Sequence, residues 1–290
     1  WYEDASRRDF TINAIYADIE GNLYDPFTGK NNIKDGKIEF IGDPEKRINE
    51  DFLRILRYVR FFLNYSKVDH NLNIQRVIKK NIKGISKISS ERLLDEFKKI
   101  VKSNVLQKLH KDKFCLEIII LIFPQFKNIY ILKDIKKNNQ DIDFTILLSL
   151  LINDTSDNTD YFLFRFNLSK KEKNRILFLK EFFNKKLNNK TFNKENLWKV
   201  FYYSGKQSLL DILNYQLSKF PKKEKNLLEL INFFKNKDLP QLPIKADYLM
   251  REFNLSEGKE LGSKLKMIEK QWVNNKFKIS EKEIKKLIIN

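Results

Sequence analysis

Asp51 and Arg54 stand three residues apart in residues 41–62, IGDPEKRINEDFLRILRYVRFF. Read as one continuous helix, this stretch puts the carboxylate and the guanidinium on one face. Side by side, they form an edge with an acceptor next to a donor. Such an edge can pair with the Watson–Crick edge of a nucleobase. Taken alone, the spacing equally describes a surface ion pair that contributes little. Arg57 and Arg60 continue the three-residue step. At 100° per residue Arg57 is rotated about 120° from Asp51 and Arg60 about 180°. Neither is expected on the base-reading face; any ligand role would be through long reach to phosphates. Phe52, Leu53, Ile55, Leu56, Val59, Phe62 and Leu63 lie mostly on the other side and are expected in a core.

A second polar group, Arg7-Arg8-Asp9 with Asn13, precedes this stretch. A charge run of this kind is also compatible with a solvated strand start. Cys115 is the single cysteine, which excludes an intramolecular disulfide and a cysteine-built metal site. It is read as a small buried hydrophobe. His70 and His110 have no partner at ligand spacing in the sequence, so neither a zinc site nor a His-based nucleophilic triad is expected.

The elements that must position these groups follow from pattern. Residues 10–17 alternate toward a strand, Glu20-Gly21-Asn22 signals a hairpin turn, and 22–24 would be the returning strand. Turns are expected at 25–29 and at Asp35-Gly36, with a short strand over 37–40. Asp43 as cap and Pro44 in the first turn open a helix whose periodicity runs through Asn64. Further helices are expected over 72–82 and from Ser89 or Ser90 to Lys102. From residue 104 onward the pattern gives only helices and loops, with helices over 105–110, 115–123, 144–153, 170–185, 194–203, 207–220, 223–236, 245–253, 258–274 and 280–289. Loops are expected at 154–160 and 238–243. The fold class is α+β: the edge of a small mixed domain over 1–42, a helical segment over 43–103, and a helical remainder over 104–290.

The 290 residues suggest about two domains, and 42% hydrophobic content supports real cores. No apolar run approaches the ~20 residues a membrane helix needs. Lys and Arg number 56 against 38 Asp and Glu, for a formal charge of +18, which favours a polyanionic partner. Much of that excess is Lys in a chain rich in Asn and Ile, so charge supports nucleic-acid binding without proving it.

The ordered set RRDFTINAI, DPF, IGDPEKRI, EDFLRILR and ISSERLLDEFKKI resembles the class II tRNA nucleotidyltransferases (CCA-adding enzymes) and bacterial poly(A) polymerases. The resemblance implies the C-terminal edge of a palm-like catalytic head, followed by an all-α neck, body and tail. It implies template-independent addition of CMP and AMP to tRNA 3′ ends from CTP and ATP, with tRNA as partner and Mg²⁺ as cofactor. It implies that Asp51 and Arg54 read the base. Adenine and cytosine each offer an amino donor beside a ring-nitrogen acceptor, which this pair can satisfy. Guanine and uracil present a carbonyl beside an N–H and would leave polar groups unpaired. By the same resemblance Arg8 contacts the triphosphate, and a guanidinium fork suits phosphate oxygens. Arg57 and Arg60 match nucleotide-site positions, with an ion pair between neck and head as the alternative for Arg60. Asp9 and Asn13 match positions for ribose recognition and pocket shape, with backbone capping as the alternative for Asn13. Arg47 and Glu50 are read as support.

Two features depart from the family pattern. Thr28 and Asn32 stand where a second Gly and an acidic residue usually follow DPF. The family's metal-binding Asp-x-Asp, expected upstream of RRDFT, is missing. Asp141-Ile142-Asp143 has the spacing but is read as a helix cap. With no Met at position 1, the chain is taken as a fragment or processed chain, expected to bind nucleotide without catalysing. Residues 242–249 with Gly258, Gly262 and Trp272 resemble the family's tail. Lys245, Lys259, Lys264 and Lys266 there could meet phosphates or form solvated faces. A poly(A) polymerase, a specialised A-adding or CC-adding enzyme, and a non-catalytic RNA-binding helical protein are the rival readings. A cytoplasmic location is expected, and oligomeric state stays open.

Overall fold

The computed structural model describes residues 1–135, 143–154, 156–185, 191–219 and 224–289. The chain folds as two units, one built on Trp1–Asn184 and the other on Lys185–Leu217 with Lys222–Asn290. The α+β class holds: among the described residues one two-stranded sheet lies near the start, and the other regular elements are helices.

In the first unit, helix α1 (Tyr2–Ser6) leads into the polar Arg7–Asp9 segment, and β1 (Tyr16–Ala17) pairs antiparallel with β2 (Leu23–Tyr24). The turn between the strands is closed by Asp18 Oδ1, which accepts the Asn22 N–H at 2.7 Å, with Gly21 at φ 86°. The strands expected over 10–17 and 37–40 shrink to a single bridge between Phe10 and Phe40. The chain turns into a 3₁₀ helix at Thr11–Asn13, between the buried Phe10 and Ala14. Phe10 packs on Phe40 at 4.7 Å and Phe61 at 5.1 Å between ring centroids.

Asp25 caps an unexpected helix, α2 (Gly29–Asp35), by accepting the Gly29 and Lys30 N–H groups at 2.7 and 2.8 Å. Gly29 is required there, since a Cβ would lie 2.2 Å from the Thr11 carbonyl oxygen. Asn32 Nδ2 donates to Thr11 Oγ1 at 2.7 Å, so this turn is tied to the polar segment despite its departure from the family pattern.

The largest correction concerns residues 41–62. They form two helices, α3 (Pro44–Glu50) and α4 (Leu53–Tyr65), broken at Asp51-Phe52. Asp51 is extended at φ −153°, ψ 104°, and its Oδ1 accepts the Leu53 N–H at 3.1 Å. An aspartate can cap a following helix from its own side chain, so the apolar period continues across a break that it cannot reveal. Phe52 seats on Gly84, where any Cβ would fall about 2.0 Å from the ring. Helix α4 buries Leu53, Ile55, Leu56, Tyr58, Val59, Phe61 and Leu63. Phe62, expected in that core, is only half-buried and stacks on His70 at 3.5 Å.

Helix α5 (Leu72–Asn81) is capped by Asn71, and α6 (Ser90–Lys102) by Ser89. Helix α6 packs on α4 and buries Leu93, Leu94, Phe97 and Ile100. Helices α7 (Leu106–Lys111), α8 (Lys113–Ile122), α9 (Phe144–Ile152), α10 (Asn158–Arg165) and α11 (Lys170–Asn184) complete the unit. The loop expected at 154–160 gives way to the start of α10. Asp143 caps α9 and pairs with Arg175 at 3.0 Å, while Asp141 and Ile142 lie outside the described residues.

In the second unit, α12 (Lys194–Lys219) bends at Gly205, whose φ of 84° and ψ of 165° separate the two expected helices. With α13 (Glu224–Lys235) it encloses Leu197, Phe201, Leu209, Leu213, Leu227 and Phe234. Helices α14 (Ala246–Phe253), α15 (Lys259–Asn274) and α16 (Glu281–Ile289) close around Leu249, Leu261, Ile268 and Ile284.

Candidate nucleotide site

The break before α4 opens a cavity of about 230 Å³ lined by Arg7, Arg8, Asp9, Asn13, Asp51, Leu53, Arg54, Arg57 and Arg92. Three segments meet there: the polar run after α1, the α3–α4 junction, and the first turn of α6. The run after α1 is held by its own backbone. Arg47 from α3 donates to the carbonyls of Ser6 (3.0 Å) and Arg8, and Arg54 reaches the Arg7 carbonyl at 3.5 Å. Burial and the charge of Arg54 both lower the Arg47 pKa, and its pair with Glu50 at 2.8 Å opposes them.

Asp51 and Arg54 both line the cavity, but no ion pair joins them. Asp51 Oδ2 accepts from Arg92 at 2.7 Å, and Arg54 donates to Glu50 at 2.6 Å and to the Arg47 carbonyl at 2.7 Å. The expected shared helix face therefore does not exist, because Asp51 lies outside α4. The same break corrects the geometry of Arg57. It was expected away from Asp51, yet it faces the same cavity and pairs with Asp9. Burial opposes the charge on Asp9, but Arg57 overrides it and, with Asn13 and the Phe10 N–H, holds the carboxyl below the usual carboxylate range. Asn13 donates to Asp9 Oδ1 at 3.2 Å rather than to backbone.

Arg60 does not line the cavity. It pairs with Glu96, whose side chain is 1% exposed, and lies 4.4 Å from the Phe61 ring centroid. Its partner comes from α6, not from the head segment, so the ion pair is internal to the helical part. Arg8 stays half-exposed, pairing with Asp4 at 2.9 Å; the Tyr16 hydroxyl, then Asp4, raise its pKa. Arg92 was not singled out from sequence. It stands within ISSERLLDEFKKI, but nothing local says that its partner is 41 residues away.

Among the described residues, one cluster of potential metal ligands occurs, His70, Asp112 and Cys115, and it lies outside the cavity. This corrects the expectation that His70 has no such partner: Asp112 is 3.0 Å from His70 Nε2 across 42 residues, and the Tyr58 hydroxyl meets Nδ1 at 3.0 Å. Asp112 also caps α8 at the Cys115 N–H, 2.8 Å away. Each member is engaged, and burial pushes the Cys115 thiol pKa up. Mixed nitrogen, oxygen and sulfur donors do not suit Mg²⁺, which prefers oxygen ligands. In the cavity itself, Asp9 and Asp51 each face an arginine, so the described residues do not form a Mg²⁺ site. Members of the nucleotidyltransferase family generally use a divalent metal.

Residues 1–39 match the family model for the poly(A) polymerase head domain, and residues 136–288 match tRNA nucleotidyltransferase domain 2. The mouse mitochondrial CCA tRNA nucleotidyltransferase 1 is 30% identical over 98% of this chain and 65% of its own length. The chain thus spans about 65% of the length of that curated relative. The fold is similar to that of the Bacillus stearothermophilus CCA-adding enzyme in complex with CTP, with a TM-score of 0.73 at 20% identity, over 99% of this chain and 73% of that one. The Thermotoga maritima CCA-adding enzyme complexed with tRNA gives a TM-score of 0.60 at 20% identity, over 99% of this chain and 73% of that one. Among the described residues, no helix is long and apolar enough to cross a membrane.

Proposed function

Because the chain belongs to the tRNA nucleotidyltransferase family of CCA-adding enzymes, we propose that it supplies the base-selecting part of a template-independent enzyme adding CMP and AMP to tRNA 3′ ends. The observation that carries this reading is the cavity at the helix break, where Asp51 and Arg54 face one space with four further arginines.

In the reaction, an RNA 3′-hydroxyl attacks the α-phosphate of CTP or ATP and pyrophosphate leaves. Asp51 accepts from the N4 or N6 amino group, and Arg54 donates to N3 or N1. To do so, Arg54 shifts its fork from Glu50 toward the base, and Asp51 offers a lone pair not used by Leu53 or Arg92. Arg7 and Arg8, half-exposed at the cavity rim, take the phosphates, with Arg57 behind them. Asp9 and Asn13, already hydrogen-bonded to each other, present one polar surface toward the ribose. Arg60 supports α4 against α6. Mg²⁺ would supply Lewis-acid chemistry at the phosphates, held by carboxylates outside these 290 residues.

In this reading residues 1–42 belong to the head, 43–103 to the neck, and 104–290 to the body and tail, whose lysines meet tRNA phosphates. Lys171 of the body, with Lys98 and Lys102 of the adjoining neck helix, lines a cavity of about 540 Å³ that fits that task. The proposed location is the cytoplasm; the mitochondrial name of the mouse relative makes an organelle the alternative, decided by cell fractionation.

The test uses the protein extended to its full reading frame, a tRNA ending before CCA, all four nucleotides and Mg²⁺. Addition of C, C and A, then arrest, is expected. A-only or CC-only products would move the protein to a polyadenylating or specialised activity. RNA binding without addition would make it a binding protein.

A further inference from the structure

Asp51 and Arg54 carry opposite charges three residues apart, yet each has a separate partner. Arg92 holds Asp51 Oδ2 at 2.7 Å, and Glu50 holds Arg54 at 2.6 Å. The four side chains thus form two separate ion pairs, and Asp51, Arg54 and Arg92 line the cavity. Asp51 needs such a hold more than Arg54 does. It sits between two helices on extended backbone, and apart from Arg92 its carboxylate accepts from the Leu53 N–H at 3.1 Å. Arg54 is anchored at three acceptors, Glu50 and the carbonyls of Arg47 and Arg7.

Without Arg92, the Asp51 carboxylate is free to swing onto the Arg54 guanidinium that shares the cavity. A pair collapsed in this way would consume the acceptor and the donor that read the base. We propose that Arg92 is a specificity-determining positioning residue: it keeps Asp51 off Arg54 and holds it as an acceptor facing the incoming base. This rests on the base-reading assignment above. One carboxylate oxygen has two lone pairs, so Oδ2 can hold Arg92 and still accept from an amino group. Arg92 arrives from α6, a helix that packs on α4, so its place is set from outside the α3–α4 junction that it restrains.

The consequence is selective. Removing Arg92 weakens the nucleotides that present an amino group and leaves the phosphate contacts of Arg7 and Arg8 in place. Equilibrium binding of CTP, ATP, UTP and GTP would be measured on the 290-residue chain with Arg92 intact and as Arg92→Ala, Arg92→Gln and Arg92→Lys, with thermal melts alongside. The intact chain is expected to prefer CTP and ATP. Arg92→Ala is expected to lose about tenfold of that preference or more, with UTP and GTP nearly unchanged. Arg92→Lys, which can still donate a charged bond to Asp51, should restore most of it. An unchanged preference in Arg92→Ala, or an equal loss for all four nucleotides, overturns the role of Arg92. If Arg92→Ala does not fold, Arg92→Gln removes the charge at similar length and is read the same way. A wild-type chain without any preference overturns the base-reading assignment itself, a result distinguishable from failure of Arg92 alone.

Discussion

Two clusters in the first unit bring polar groups together from distant parts of the chain, and they differ in balance. The cluster of Tyr58, His70, Asp112 and Cys115 is buried or half-buried, and its polar atoms meet one another or a helix N–H. The cavity at the α3–α4 break is lined by five arginines and two aspartates, and several of its side chains stay half-exposed. Internal satisfaction marks a structural network, because a ligand there would have to break bonds already made. A surplus of fixed donors around an open space marks a site for an anion with hydrogen-bonding edges. Arg57 and Arg60 repeat the contrast on one helix. Arg57 stands at the cavity beside Asp9, whereas Arg60 is spent on Glu96 in the core.

The sharpest test of this division is substitution of the reading pair. Asp51→Ala or Arg54→Ala should cut CTP and ATP binding about a hundredfold, measured by titration calorimetry, with little change in melting. A loss of folding instead would place these residues in the structural class. Next in size, Arg60→Ala should destabilise by about 2–3 kcal/mol in urea unfolding, since it leaves Glu96 buried with only Lys99 at 3.1 Å. Nucleotide preference should survive in the molecules that remain folded.

Asp112→Ala should cost about 1–3 kcal/mol by removing both the α8 cap and the His70 partner, without altering nucleotide affinity. A drop in affinity there would blur the boundary between the two clusters. The smallest effect is a pH dependence. Asp9 is held below the usual carboxylate range by Arg57 against the opposing effect of burial. Its contribution is therefore fully present above the unfolded value of about 3.9 and is lost as pH falls through the lowered folded value. Acid unfolding followed by circular dichroism should show a shallower loss of stability below about pH 4 in Asp9→Asn than in the wild type.

Much of this was legible in residue types and spacing. Asp43-Pro44 opens α3 as capping chemistry requires, and Ser89 opens α6. Apart from α10, which starts in an expected loop, the helical pattern after residue 104 corresponds closely to the described helices, down to the separation at Gly205. These features are local: a cap, a period of 3.6 or a positive φ is decided within a few residues. The residues lining the cavity were also largely named, but their arrangement was not. Apolar periodicity runs unbroken through Asp51, because Ile48 and Leu53 are buried on both sides of the junction.

By itself, the sequence determined the chemical inventory: carboxylate and guanidinium near each other, an arginine-rich run upstream, one cysteine, and a helical body with a basic surplus. Tertiary structure decided who meets whom. It broke the helix at Asp51, turned Arg57 toward Asp9 and Arg60 toward Glu96, and brought Arg92 and Asp112 to partners 41 and 42 residues away. The physical reason is that charge pairs and hydrogen bonds act over a few ångströms in space and carry no trace in sequence of which distant segment supplies the partner. Packing of α6 on α4 makes that choice, and with it separates the arginines that can bind a ligand from the one that holds the core.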